Sequence, residues 1–383
     1  MNAGKMRGDN DSKATASAVL LVAMEMGLKT WRLALGVAGS NGQRQVTVTA
    51  GHYEELRSAV QQAKEKFGMA ENSQAVFCYE AGRDGFYPYR TLKAQGQEAW
   101  VIDSSSIEVH RRARRVKNDA VDAAKILLLM QRQWRGEQAL KIVRVPSVKQ
   151  EDRRQRTRER EELVIERGRV RMRMQSLLFA QGVRDFPGGI AKISHWLQQR
   201  GEGWPQQLLD RLQRELSRLK LVDDQLKEVS KQQLDDCAHA TASDSVADPT
   251  AQRLMQLKGI GDTGASILST ELFGWRKFSN RREVAASVGL TPTPYDSGES
   301  SREQGISKAG NKRVRRVIVE LAWKWLRFQP ESALSLWFNE RFGVGKRSRR
   351  IGIVALARKL LVSLWHYLEH GAIPQAAVLK TAA

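Results

Sequence analysis

The sequence predicts an α/β amino-terminal domain joined to a mainly helical remainder, and three observations carry that reading. Strand-like apolar runs alternate with helical periodicity between Val19 and about Met130. A long, very polar stretch from Lys149 to about Ser230 keeps helical spacing with a recurring leucine. From about Ala251 the chain breaks into shorter helical segments punctuated by glycine and proline.

Met1–Thr15 is polar and rich in Lys, Asp, Asn and Gly, so residues 1–17 are expected to be a disordered tail. Strands follow at about Val19–Met24, Thr30–Val37 and Gln45–Thr49, the last alternating through Val46 and Val48. Tyr53–Phe67 has helical spacing through Leu56, Val60 and Ala63, and Gly68 is a natural stop. Then come a strand at Ala75–Tyr79, a helix at Gly85–Ala94, a strand at Ala99–Ile102 and a helix carrying Asp119 and Asp122. This is the element order of an RNase H-like fold, in which acids from the first strand, the fourth strand and the last helix meet at one end of the sheet.

In the middle region, Arg153, Arg154, Arg156, Arg158, Arg160 and Arg167 are interleaved with Glu151, Glu159, Glu161, Glu162 and Glu166. Such mixing is the normal surface of a solvated helix or coiled coil. From Gly168 to Arg173 the basic residues run without an acid, which suits the phosphates of structured RNA or DNA. Leu208, Leu212, Leu216, Leu219, Val222 and Leu226, spaced three and four apart, form a coiled-coil-like seam for packing or dimerisation. Ala238–Thr250 is small and polar and reads as a linker.

Beyond it, Leu257-Lys258-Gly259-Ile260-Gly261-Asp262-Thr263-Gly264-Ala265 reads as a hairpin between helices, similar to a helix-hairpin-helix motif that grips DNA backbone. A helix precedes it, whereas a dinucleotide site needs a strand there. A helix at Arg282–Val288, a polar loop through Ser297-Gly298 and a basic helix at Lys308–Trp325 complete the reading. A Ser beside Gly is either turn chemistry or a hydroxyl presented as a nucleophile toward a phosphate.

Lys plus Arg total 63 against 42 Asp plus Glu, for a formal net charge of +21. That excess predicts a polyanionic partner, and nucleic acid is the obvious one. No uninterrupted apolar run of about 18 residues is evident, so no membrane partner is expected. Two cysteines, Cys78 and Cys237, exclude a disulfide framework and a Cys-based zinc site. His366 and His370 have helical spacing but no third ligand nearby and are read as surface or packing residues. The expected location is the bacterial cytoplasm, at the nucleoid.

The chemistry is expected at four acids. Glu25 and Glu80 end apolar strand-like runs, where an acid is costly unless used or paired. Asp119 and Asp122 share one helix face, with Cβ atoms roughly 5–6 Å apart. Such a pair repels itself unless a positive charge intervenes, and a divalent metal ion supplies one. The alternative for the two aspartates is attraction to the positive end of a helix dipole.

Glu80-Ala81-Gly82, Lys117-Asn118-Asp119-Ala120-Val121-Asp122-Ala123, Lys258-Gly259-Ile260-Gly261 and Gly289-Leu290-Thr291-Pro292 occur in that order, followed by Ser297-Gly298 and Ile306-Ser307-Lys308-Ala309-Gly310-Asn311. From about Val19 to Tyr367 this series resembles the DEDD transposases of the insertion-sequence family numbered one hundred and ten, which includes the Piv-type DNA invertases. The resemblance implies a RuvC-like DEDD catalytic domain over 18–147, a helical coiled-coil region over 148–237, a linker over 238–250 and a transposase domain over 251–383. It implies Glu25, Glu80, Asp119 and Asp122 as catalytic ligands of Mg²⁺ and Ser297 as a catalytic nucleophile. It also implies a structured non-coding bridge RNA pairing with donor and target DNA, and a homodimer assembling into a tetramer. The family's first acid is usually Asp in a Gly-Ile-Asp-Val-Ser-like string, whereas this chain has Ala23-Met24-Glu25-Met26-Gly27.

The reading is an RNA-guided DNA recombinase. Its rivals are a RuvC-like junction resolvase or nuclease using the acids and water alone, and a non-catalytic nucleic-acid binder descended from a transposase.

Overall fold

A computed structural model describes residues 18–82, 84–103, 119–200, 203–238, 248–297 and 300–380. The tail 1–17, residues 239–247 of the expected linker, and Lys117, Asn118 and Gly298 of the motifs lie outside the described residues. The chain forms two compact units, Met1–Val145 and Pro146–Ala383, and is a mixed α/β protein, mostly helical.

The first unit is built on a five-stranded sheet in the order β3-β2-β1-β4-β5, with β1 Leu20–Met26, β2 Thr30–Val37, β3 Arg44–Thr49, β4 Ala75–Glu80 and β5 Glu98–Ile102. β1, β2 and β3 are antiparallel neighbours; β4 lies parallel to β1, and β5 parallel to β4. The β1–β2 turn is tight: Gly27 N donates to Thr30 O at 3.0 Å, and a Cβ on Gly27 would lie 2.5 Å from that oxygen. Helix α1 (Tyr53–Lys66) packs on β3, and α2 (Tyr87–Ala94) packs on β5.

Side chains alternate across a strand. Leu21 and Ala23 of β1, with Val76 and Cys78 of β4, form one cluster with Ala123, Ile126, Leu127 and Met130 of α3 (Asp119–Trp134). That apolar stripe glues α3 to the sheet, at about 1.5–3 kcal/mol for each fully buried large side chain. The observed strands and helices match the expected ones to within one or two residues.

The second unit opens with α4 (Val148–Phe179), started by a capping box in which Ser147 Oγ accepts from Gln150 N and Gln150 Oε1 accepts from Ser147 N. Next come α5 (Ile190–Arg200) and α6 (Gln206–Ala238). Helices α4 and α6 form an antiparallel pair: Arg173 meets Glu215, Arg167 meets Asp223 and Arg156 meets Asp236. The expected leucine seam is filled within the chain, by Leu163, Val170, Met174 and Leu178 of α4 against Leu212, Leu216, Leu219, Val222 and Leu226 of α6. The run Gly168–Arg173, acid-free in sequence, meets one acid in the fold. Its acid arrives from α6, where Glu215 accepts from Arg173 at 2.9 Å, while Arg171 donates to the carbonyls of Pro187 and Gly188.

The remainder comprises α7 (Pro249–Met255), α8 (Asp262–Leu268) running into a π-helical turn at Ser269–Phe273, α9 (Arg281–Ser287), strands β6 (Pro292–Ser297) and β7 (Ser300–Ile306), α10 (Lys312–Phe328), α11 (Ala333–Phe342) and α12 (Lys346–His370). Two expectations are corrected. The stretch read as a polar loop is an antiparallel hairpin of β6 and β7. The basic helix starts at Lys312 rather than Lys308, because Lys308 and Gly310 have left-handed φ of 57° and 72° and Asn311 provides the cap. Helix α12 is long and apolar enough to cross a membrane by length and composition, but half of that stretch is buried. Ile353, Leu356, Leu360, Leu361 and Leu364 belong to the core of this unit, which accounts for its apolarity.

Candidate active site

Glu25 and Glu80 occupy equivalent positions at the carboxyl ends of adjacent parallel strands. Met24 pairs with Tyr79, so the next residue on each strand is an acid, about 4.8 Å apart strand to strand. Both continue the alternation of Leu21, Ala23, Val76 and Cys78, the face covered by α3, and both are partly buried. The residue opposite Glu25 on β2 is Arg32, whose Nη2 donates to Gln45 Oε1 at 3.3 Å.

The direction of α3 follows from a residue at its far end. Gln131 accepts from Gly39 N and donates to Val37 O, both at 2.8 Å, and Val37 pairs with Leu20 at the start of β1. Asp119 lies twelve residues earlier, about 18 Å along the helix, while Leu20 to Glu25 covers about 17 Å of strand. The amino end of α3 therefore lies at the end of the sheet that carries Glu25 and Glu80. Asp119 opens the helix there. Asp122 is one turn before Ile126, and its Oδ1 accepts from Lys125 Nζ at 2.8 Å. Lys125 thus supplies a positive charge to this aspartate from within the helix.

These residues suit a hard divalent cation by donor chemistry, since all four are carboxylates. Among the described residues, no group of three or more His, Cys, Asp or Glu side chains is gathered closely enough to hold an ion. The sheet register and helix direction bring the four positions to one end of the fold. Tyr79 fixes the loop after Glu80, donating to Gly85 O at 3.1 Å and accepting from Tyr89 N at 3.2 Å. Burial pushes its phenol far above the usual range. Cys78, before it, is a buried free thiol.

In the second unit, Ser297 ends β6, its backbone paired with Ser300, and Asp296 is paired with Ser301. Ser307 lies at the opposite end of the hairpin, where its N donates to Thr291 O and its Oγ accepts from Thr291 Oγ1. Five residues of strand, about 17 Å, separate the two ends. Two of the sequence motifs cross beneath the hairpin. Gly289, at φ 68°, packs so closely that a Cβ would lie 2.1 Å from Ala309 O; on Gly310 a Cβ would lie 2.2 Å from Ser287 O. Arg315 clamps the crossing by donating to Val288 O and Ala309 O, at 2.8 and 3.0 Å.

A buried polar cluster supports this base. Glu271, in the π-helical turn, accepts from Arg158 through both oxygens, at 2.8 and 3.2 Å, and from Asn311 Nδ2 at 3.2 Å. Asn311 Oδ1 in turn caps α10, accepting from Arg313 N and Val314 N, while its own N donates to Ser287 O at 2.9 Å. Burial alone would raise the Glu271 carboxyl, but the Arg158 hydrogen bonds and charge outweigh it and hold the group below the ordinary carboxylate value. Sequence reasoning passed over Glu271. Its signal was the one used for Glu25 and Glu80, an acid inside an apolar run (Ile267-Leu268-Ser269-Thr270-Glu271-Leu272-Phe273), where an ionised group demands a partner.

Of the segment Leu257–Ala265, residues 257–261 lie in the connection from α7 to α8 and the rest begin α8, and its glycines are used in packing: a Cβ on Gly259 would come within 3.2 Å of Phe328, and one on Gly264 within 3.1 Å of Leu321.

Residues 251–335 match the family model described as transposase IS116/IS110/IS902 family. Over 378 residues the chain is 37% identical to a putative transposase, y4rJ, of Sinorhizobium fredii, covering 94% of this chain and 95% of that protein. It is 31% identical over 219 residues to the transposase for insertion sequence element IS1328 of Yersinia enterocolitica, covering 56% of this chain and 62% of that protein. Over 124 residues it is 28% identical to the transposase for insertion sequence element IS1111A of Coxiella burnetii, covering 32% and 34%.

Proposed function

We propose a reaction for a chain that belongs to the transposase IS116/IS110/IS902 family: RNA-guided strand cleavage and exchange between donor and target DNA, through a serine nucleophile and a carboxylate site. As an insertion-sequence transposase it acts on DNA. The observation that carries the finer reading is the convergence of Glu25, Glu80 and the start of α3 at one end of a β3-β2-β1-β4-β5 sheet. That strand order and those positions support an RNase H-like, RuvC-like domain.

Glu25, Glu80, Asp119 and Asp122 would hold Mg²⁺, whose charge polarises a scissile phosphate and stabilises the leaving oxygen. Lys125 would hold Asp122 oriented. Glu25 offers the same oxygen chemistry as an aspartate, with a carboxylate about 1 Å farther from the backbone, a displacement large enough to affect rate. Ser297 would attack the phosphorus, so that an Oγ–P bond forms as the bond to the departing sugar oxygen breaks. The resulting phosphoserine conserves the energy needed for religation. The guide would be a bridge RNA paired with both DNAs, and the working assembly a tetramer built from homodimers, in the cytoplasm at the nucleoid.

The rival, a junction resolvase using carboxylates and water, leaves the hairpin and its two crossing glycine motifs without a role. Asp119→Asn and Glu80→Gln should abolish strand exchange while DNA and RNA binding survive. Full exchange by Asp119→Asn with Mg²⁺ as the only metal removes the first unit from catalysis.

A further inference from the structure

A groove of about 980 Å³ opens in the second unit beside the base of the β6–β7 hairpin. Its cations come from separate elements: Arg281 and Arg282 from α9, Lys308 from the turn after β7, and Arg350, Arg358 and Lys359 from α12. Among the described residues no Asp or Glu lines it, and none of these six cations is drawn into an ion pair. Six positive charges around one concavity favour a polyanion. Lys308 adds a second sign of construction, being held at φ 57°, a left-handed conformation that an ordinary L-residue adopts only at a cost.

The floor is different in kind. Ile306, Trp337, Ile351 and Val354 present apolar surface between the cations, and Lys359 Nζ rests 4.5 Å from the centre of the Trp337 ring. Duplex DNA meets a protein chiefly through phosphates and groove edges and has little use for such a floor. An unpaired strand carries both halves of the complement, phosphates for the cations and base faces for an aromatic platform. The ammonium on Trp337 occupies the place a base would take.

We infer that this groove binds a single strand of DNA, phosphates on the six cations and a base on Trp337, and delivers it to the hairpin. DNA rather than RNA is the occupant because Pro292 and Gly305, residues of the hairpin itself, form one wall. From that wall β6 leads to Ser297, about 17 Å farther along the strand. The inference rests on the Ser297 reading for its purpose, although not for its chemistry.

The test measures binding alone, with no metal and in the Ser297→Ala background, using the full chain and short fluorescein-labelled single-stranded DNA, the same sequence as duplex, and its RNA counterpart. Trp337→Leu should weaken single-strand binding by about fivefold or more, the range of one lost base stack, and leave duplex binding unchanged. Arg350→Ala and Lys359→Ala, both at exposed positions, should each weaken it and lower the salt slope by about 0.7. Lys192→Ala on α5, outside the groove, should do neither. Equal losses on duplex and single strand, or no loss in any groove variant, overturn the inference. Groove-dependent binding of RNA in preference to DNA also overturns it, since the occupant would be a guide. None of these outcomes touches the nucleophile, which a covalent trap reads independently.

Discussion

Removing Arg158 should expose how strongly the second unit depends on one buried carboxylate. The Glu271 side chain is 4% exposed, while Arg158, 37% exposed, supplies two hydrogen bonds to it. Breaking a buried pair from one side leaves an uncompensated charge and costs about 3–5 kcal/mol. The partial exposure of Arg158, the Asn311 hydrogen bond and the nearby Arg154 place Arg158→Ala toward the lower end of that range. The pH dependence has a definite sign. In the native chain the Glu271 carboxyl lies below its ordinary value, so its contribution is complete above the unfolded pKa and disappears as pH falls through the folded one. Without Arg158, burial dominates and the carboxyl rises, so the cost of the substitution should grow between about pH 4 and pH 7 as the group is forced to ionise. Urea unfolding of the wild-type and variant chains at both pH values gives the comparison. A cost below about 1 kcal/mol at neutral pH, or one that shrinks as pH rises, refutes the reasoning.

Gly310→Ala should cost about 2–4 kcal/mol, from the left-handed backbone and the clash that separates Asn311 N from Ser287 O, and urea unfolding checks it. The same variant should lose strand exchange more severely than stability explains, because the two glycine motifs hold the hairpin base; exchange proportional to the folded fraction contradicts that role. Binding of the bridge RNA should fall steeply with salt, as expected for counterion release, and purified RNase-treated protein should not recombine naked DNA; recombination at normal rates removes the guide from the account. Lys125→Met should slow strand exchange by disordering Asp122, with DNA affinity measured alongside to separate positioning from binding.

The strands of the first unit were legible because β1 and β4 are apolar runs and β3 alternates through Val46 and Val48, and the positions of Glu25 and Glu80 followed from them. The direction of α3 was not legible. It depends on Gln131 reaching Val37 and Gly39, more than ninety residues away in sequence. Several arginines of α4 pair beyond the reach of a local charge count: the acids of Arg156, Arg167 and Arg173 lie 42 to 80 residues downstream on α6, and that of Arg158 lies 113 downstream. The β6–β7 hairpin escaped because Pro292 and Pro294 argue against a strand, and its Ser, Gly and Glu content lacks apolar alternation. A two-stranded ribbon fastened at its base by crossing glycines needs neither. The late start of α10 was visible in principle, since Gly310-Asn311 is a stop followed by a cap.

The central claim is that a serine, rather than water, attacks the phosphate, and a covalent trap tests it most directly. A substrate nicked near the exchange point lets the leaving strand diffuse away, so an attacked phosphate stays on the protein. The account predicts a DNA–protein species that survives denaturant, maps to the peptide containing Tyr295-Asp296-Ser297-Gly298, and is lost in both Ser297→Ala and Asp119→Asn. An adduct at Ser300 or Ser301 would move the nucleophile across the hairpin. Normal cleavage by Ser297→Ala with no covalent species would contradict the account and leave a hydrolytic nuclease.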